Sequence, residues 1–411
     1  MAQINKVESQ WQEDYVVNRN IIRRDGGVSK SSIKIDAGKL RNDLTGFPFD
    51  YYWLRSKIKS DKIDNSKTLN LVDLFCGTGP MTLGVKEACN ALNIDLNPIL
   101  AIDFEKTSAL NYALNYPNCN VIQDDISKLI DGNFGEKITD KETEIINSLP
   151  VVDFLIGGPP CQGHSDLNNH TRRDDPKNQL ILKVVRFAEL TNPKYIIIEN
   201  VQGIRHDKNN VLEKAKKYLT KLNYYIKETV LVASNFGVAQ KRKRYFLIAT
   251  KEEIQIDFNQ YEISNPNTFE WACDDLVGLK SDDIYDSSSI HSTTNKKRIE
   301  YLFKHDLHEL PDSERPKCHQ NGNHSYNSVY GRMYYNQPSP TITGGFGSIG
   351  QGRFCHPKEK RSITPHEACR LQFIPDFFKF HHSISRVAMQ KLIGNAVPPK
   401  LTYIISLELL R

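Results

Sequence analysis

The stretch "LNLVDLFCGTGPMTLG", residues 69–84, runs from a short apolar segment through two closely spaced glycines into residues able to form a helix. A buried strand, a tight turn and a helix in that order are the opening unit of a parallel α/β sheet. Gly77 and Gly79 allow the turn to bend sharply and a ligand to approach the backbone without a Cβ in the way. A dinucleotide fingerprint would place a third glycine at position 82, where the chain has Thr82. The turn therefore fits an adenosine-bearing ligand without a pyrophosphate better than a dinucleotide. Asp103 closes the next expected strand, 24 residues after Gly79, where a ribose would meet a carboxylate. Phe104 is then placed to stack on an adenine and Asp125 to accept from its amino group. Asp95 is the rival for the ribose, but "NIDLNP" around it reads as a loop. A plain strand-to-helix turn of any α/β domain remains open on this motif alone.

Outward from this turn, short apolar runs recur at 69–75, 99–104, 120–125, 151–157, 194–200 and 245–250. Between them lie stretches such as 179–190, with apolar residues at helical spacing. This reads as a parallel sheet covered by helices on both faces. Residues 252–330 break the pattern with polar, turn-rich sequence and are read as a smaller domain. Order returns over 331–411, where Thr364, Pro365 and Glu367 have a capping-box layout and Pro398 and Pro399 can open a last helix. Residues 1–68 are a polar N-terminal extension with one aromatic cluster, "FPFDYYWLR", at 47–55. The expected division is 1–68, 69–251, 252–330 and 331–411.

The 411 residues are 39% hydrophobic, enough for a sizeable core. No run of about 18 apolar residues points to a membrane span, and the N-terminus lacks a signal-peptide core, so a cytosolic or nuclear protein is expected. The eight cysteines are scattered without a CxxC pair, which signals neither a disulfide framework nor a zinc ribbon. "CHQNGNH" at 318–324 has no second cluster and reads as a polar loop, so no metal is expected. A net charge of +5 permits a polyanionic partner without demanding one.

A second constellation begins with "LIGGPPCQGHS" at 155–165. Pro159 and Pro160 fix φ and remove two backbone donors, which presents Cys161 at the carboxyl edge of the sheet as a nucleophile candidate. The usual fate of a lone cysteine, a small core hydrophobe, is accepted for the other seven. Glu199 in "IIIENV" ends the following strand at the same edge and can hold a proton for a ring nitrogen. In "QKRKRYFLIA", Gln240, Arg242 and Arg244 alternate and share a face; two arginines there can grip a phosphate or a base oxygen. A solvated charge cluster is the alternative.

Taken together, "DLFCGTG", "GGPPCQGHS", "ENV", "QKRKR", "RMYYNQPSPTITGG" and "GNAVPP" resemble, in order and spacing, the blocks of the cytosine-C5 DNA methyltransferases, over about 69–250 and 331–411. The resemblance implies a Rossmann-like α/β fold, a mixed, mostly parallel sheet with helices on both faces, and S-adenosylmethionine as cofactor. Its expected contacts are Phe75, Gly77, Thr78, Gly79, Pro80, Asp103, Phe104, Asp125, Ile126, Pro160, Leu180, Asn395 and Val397. Cys161 matches the nucleophile, Glu199 the acid that engages N3 of cytosine, and Arg244, with Arg242 beside it, the arginine that holds the base and the glutamate. Residues 163–178 match a loop that closes over DNA, with Arg172, Arg173 and Lys177 facing phosphates. Three departures stand out. Pro80 replaces a glycine, Asp103 a more common glutamate, and Lys177-Asn178 an arginine and a glycine.

The implied reaction adds the Cys161 thiolate to C6 while Glu199 serves N3, so that C5 becomes nucleophilic enough to take a methyl group. The target base must leave the duplex, at roughly a few kcal/mol, and 252–330 is expected to read the surrounding sequence. The expected partner is double-stranded DNA, met by a monomer in the cytoplasm at the nucleoid. A cognate restriction endonuclease would act on the same site. A tRNA cytosine-5 methyltransferase on the same fold is the nearest alternative; its CFT tripeptide is absent. A DNA-binding module on a dead methyltransferase fold and a NAD-dependent dehydrogenase are more distant ones.

Overall fold

The computed structural model describes residues 8–13, 15–35, 47–58, 67–160, 176–320 and 328–411. An antiparallel sheet of β1 (Glu8–Glu13), β2 (Val16–Ile22) and β3 (Val28–Lys34) comes first, followed by the helix α1 (Pro48–Leu54). Then alternate β4 (Thr68–Leu74), α2 (Pro80–Ala91), β5 (Asp95–Asp103), α3 (Lys106–Asn115), β6 (Asn120–Gln123), α4 (Ile126–Leu129), α5 (Asp140–Asn147), β7 (Phe154–Gly157), α6 (Ile181–Thr191), β8 (Tyr195–Asn200), α7 (Val211–Lys221), β9 (Tyr225–Val232) and β10 (Lys243–Thr250). The helices α8 (Phe269–Cys273), α9 (Thr293–Lys304), α10 (Pro365–Leu371), α11 (Arg386–Asn395) and α12 (Pro399–Leu410) complete the chain.

Among the described residues the large sheet has seven strands in the order β6-β5-β4-β7-β8-β10-β9, with only β10 antiparallel to its neighbours. Period-two alternation sends Leu69 and Leu71 of β4 into one core and Val72 and Leu74 into the other, so both faces are covered. The expected mixed, mostly parallel sheet is what forms. Thr364 caps α10 with the expected capping box to Glu367, and Pro399 occupies the first position of α12. No helix among the described residues is long and apolar enough to cross a membrane.

One segment differs from the sequence reading. Residues 95–98, read as a loop, begin β5: Asp95 pairs with Thr68, and Pro98 is accommodated beside a register shift opposite Leu71/Val72. Within the stretch read as a smaller domain, Tyr261, Phe269, Ala272 and Cys273 are buried in the main core, while α9 with Leu307, Leu310, Tyr330, Ile349 and Cys355 forms a small cluster of its own. The N-terminal layer joins the main core too, through Val17, Ile21, Phe49 and 51–54.

Candidate active site

Register brings the carboxyl ends of the central strands level. Leu74 lies opposite both Ile102 and Gly157, and Gly157 opposite Ile198. The turns after β4, β5, β7 and β8 therefore open on one edge, the place where α/β sheets receive ligands.

At the first turn, Phe75, Gly77 and Gly79 have φ of 61°, 55° and 92°, so three residues in five are left-handed. The two glycines are needed for different reasons. A Cβ on Gly79 would lie 2.4 Å from the Tyr116 ring, whereas one on Gly77 would meet nothing within 4 Å. Gly77 thus presents bare backbone to open space, the cradle an adenosine-type ligand needs. Pro80 occupies the first turn of α2, where its missing N–H costs nothing. Thr78 is buried. Behind the turn, the Thr82 hydroxyl lies 2.6 Å from Asp73 and 2.9 Å from the Tyr112 hydroxyl, and Tyr116 donates to Gly79 O. Burial raises the Asp73 carboxyl to about 8, against the Thr82 hydrogen bond. This buried network, which no short-range sequence rule signals, holds the turn from the core side.

The Asp103 carboxylate accepts from Gly77 N and from Glu105 N, both at 2.9 Å, which ties the two turns together. Burial raises its pKa despite those bonds. Asp95, at the other end of the same strand, is remote from this edge. The Phe104 ring is 66% exposed beside it, with a face open for stacking on a planar group. Asp125 does not end a strand as expected: β6 stops at Gln123, and Asp125 caps α4 by accepting from Ser127 N. Ile126 and Val397 are buried, Leu180 partly buried, and Asn395 exposed at the end of α11. Lys391 reaches Glu105 at 3.2 Å, which brings α11 to the Phe104 side of the edge. Bare backbone, a carboxylate and an open ring in sequence fit the adenosyl part of S-adenosylmethionine.

The second constellation lies two strands away. Glu199 pairs in register with Phe246 on β10, so Arg244, two residues on, projects from the same face. Its Nε lies 2.7 Å from Glu199 Oε1. Burial raises the Glu199 pKa, and the charges of Arg244 and Arg242 hold it back. A Cβ on Gly158 would lie 3.6 Å from Glu199 Oε2, and Asn200 Nδ2 donates to Pro159 O. The Pro159-Pro160 turn is thus anchored beside the carboxylate. Cys161, Arg172 and Arg173 lie outside the described residues, as does His324 of "CHQNGNH". At the far side of that gap, Asn178 is buried and donates to Asp207, just after β8.

Arg242 turns its guanidinium toward backbone carbonyls. It is 1% exposed and donates to Ile342 O and Gly394 O, while Gln240 bonds Leu371 O, Gln372 and Ile342 N. Both side chains fasten the returning segment 339–394 to the sheet, and alternation alone cannot distinguish them from Arg244. The grouping His356, Glu359 and Glu367 has metal-ligand spacing, but Arg361 pairs with both carboxylates and His356 Nδ1 accepts two backbone N–H groups.

The family model for C-5 cytosine-specific DNA methylase matches residues 69–411. A Type II methyltransferase of Bacillus subtilis, M1.BsuMI, is 46% identical over 96% of this chain and 92% of its own length. M1.HphI of Haemophilus parahaemolyticus is 29% identical over 84% of this chain and 87% of its own. Among solved structures, a prophage-encoded protein of E. coli described as a DNA modification methyltransferase superposes with a TM-score of 0.58 at 25% identity. It covers 83% of this chain and 98% of its own. The Dnmt2 methyltransferase of S. pombe shares the fold, with a TM-score of 0.57 at 20% identity, covering 84% of this chain and 98% of its own.

Proposed function

The chain belongs to the C-5 cytosine-specific DNA methylase family, and from that premise we propose that it methylates C5 of a cytosine turned out of a specific duplex sequence, as the modification enzyme of a Type II restriction–modification system. The observation that carries the site assignment is the Glu199–Arg244 pair at the mouth of the Pro159-Pro160 turn.

Cys161 follows that turn and is the residue assigned to attack C6. Glu199, with its raised pKa, is suited to hold a proton at N3 while the attack proceeds. Arg244 fixes the carboxylate and offers its remaining N–H groups to the base oxygen. Arg242 acts at one remove, by holding the returning segment and by its charge on Glu199. S-adenosylmethionine supplies an electrophilic methyl group. Asp103 is assigned to its ribose, Phe104 and Ile126 to the adenine faces, Asp125 to the amino group, and Phe75, 77–80, Pro160, Leu180, Asn395 and Val397 to the surrounding wall. The α9 cluster, with Lys296, Lys297 and Lys304 exposed, is the part assigned to duplex reading. The enzyme is expected to act as a monomer on nucleoid DNA, alongside an endonuclease of the same specificity.

Bisulfite sequencing of DNA from cells expressing the chain tests this directly. One short sequence protected at a single cytosine is the expected result. Conversion of every cytosine in DNA, with methyl transfer to tRNA instead, would replace the substrate.

A further inference from the structure

The N-terminal layer lies outside the matched family region, yet it grips the two helices that bound the cofactor cradle. Arg19 of β2 meets Glu87 of α2 at 2.7 Å with its side chain 2% exposed, and its guanidinium lies 4.1 Å from the Phe49 ring centre. Asp50 of α1 meets Lys400 of α12 at 2.7 Å, with side chains 5% and 2% exposed. The Lys400 ammonium is enclosed by the rings of Phe47 and Tyr403, at 4.5 and 4.7 Å. Trp53 stacks on Phe373 alongside. Four buried charges in two pairs are therefore concentrated where the N-terminal layer meets α2 and α12.

Lys400 is in an unfavourable place for a cation. It is buried, and it occupies the first turn of α12, where the helix dipole already concentrates positive charge. Asp50 is the counter-charge that keeps it there. The two helices are locked to each other at the same level. Thr402 Oγ1 donates to Met81 O at 3.0 Å, and a Cβ on Gly84 would lie 2.1 Å from Pro399 O. Glu87 shares α2 with the Gly79 cap, and Lys400 stands three residues after Val397.

We propose that Asp50 and Arg19 are positioning residues for the cofactor: through Lys400 and Glu87 they set the spacing between the 77–79 turn and the 395–397 segment. This rests on the cofactor assignment made above.

The test is Asp50→Asn, read by calorimetric binding of S-adenosylhomocysteine and by KM against kcat for S-adenosylmethionine. Binding and KM are expected to worsen about tenfold, within the usual range for coupled sites, with kcat at saturating cofactor changed less than about twofold. The double variant Asp50→Asn/Lys400→Met removes both charges and is expected to restore binding to within about threefold of wild type. Arg24→Gln, which loosens the distant end of α12 at Glu408, is expected to lower Tm without changing binding. If Asp50→Asn does not fold, Asp50→Glu keeps the charge but displaces Lys400, and the same binding loss is expected. Wild-type affinity in a folded Asp50 variant, or equal losses in Asp50→Asn and Arg24→Gln, would overturn the proposal. Failure of the wild-type chain to bind S-adenosylhomocysteine would instead overturn the cofactor assignment beneath it.

Discussion

The Arg244 guanidinium stands 2.7 Å from the Glu199 carboxylate, on the strand that alone runs against the rest of the sheet. The reversal of β10 is what allows the pair. A residue that enters this strand lies level with residues that leave its parallel neighbour, so acid and base share the ligand edge. Glu199→Gln keeps the shape and removes the carboxyl group proposed to serve N3. Methyl transfer should fall about 10²- to 10⁴-fold with cofactor affinity within about twofold. A tritiated-methyl assay beside calorimetry checks both, and undiminished turnover would take Glu199 out of the reaction.

Arg244→Met removes the counter-charge but keeps the bulk. Burial already raises the Glu199 pKa, and loss of Arg244 raises it further. A carboxyl whose folded pKa exceeds its unfolded value costs nothing at low pH and destabilises the fold as pH rises past the unfolded value. The variant should therefore lose roughly 1–3 kcal/mol relative to wild type at pH 8 and much less at pH 5. Urea titrations at the two pH values measure this; an equal loss at both would show that charge is not the cause.

Glu367 has the opposite sign. Burial pushes its carboxyl up, but hydrogen bonds from Arg361 and His356 outweigh burial and bring it down from 4.5 to about 2. Its stabilising contribution is complete above pH 4.5 and is lost as pH falls toward 2. Acid unfolding of Glu367→Gln should be flatter than that of wild type over this window, by on the order of 3 kcal/mol. Superimposable acid-unfolding curves would contradict the assignment.

Gly84→Ala tests the contact between α2 and α12. The added Cβ would lie 2.0 Å from Thr402 Oγ1 and 2.1 Å from the Pro399 carbonyl. The hydroxyl can be removed, but the carbonyl is backbone and cannot turn away. A loss of about 1–3 kcal/mol is expected, with only part recovered in Gly84→Ala/Thr402→Ala. A change under about 0.5 kcal/mol, the size of a surface substitution, would mean the helices are farther apart than described.

The central strands were legible because buried parallel strands are nearly continuous apolar runs, as in "FLIG" and "YIII". β9, "YIKETVLV", was not, since this edge strand mixes lysine and glutamate into the run. The N-terminal strands hid for another reason: Asn18 and Arg19 of "VVNRNII" are polar but buried, with Arg19 held by Glu87 far along the chain. In the site, Glu199 and Arg244 followed from strand ends and alternation. The backbone partners of Arg242 are not legible in the sequence, because those carbonyls arrive 100 and 152 residues later. The buried Asp73–Thr82–Tyr112 network likewise depends on tertiary packing that spacing does not encode.

Met81 and Thr402 touch although 321 residues separate them. During synthesis, the apolar flank of the helix that carries the glycine turn stays bare until the ribosome has made residues 399–410. A stalled or clipped nascent chain would thus expose the apolar flank of α2, and chaperone capture should be strongest in that interval.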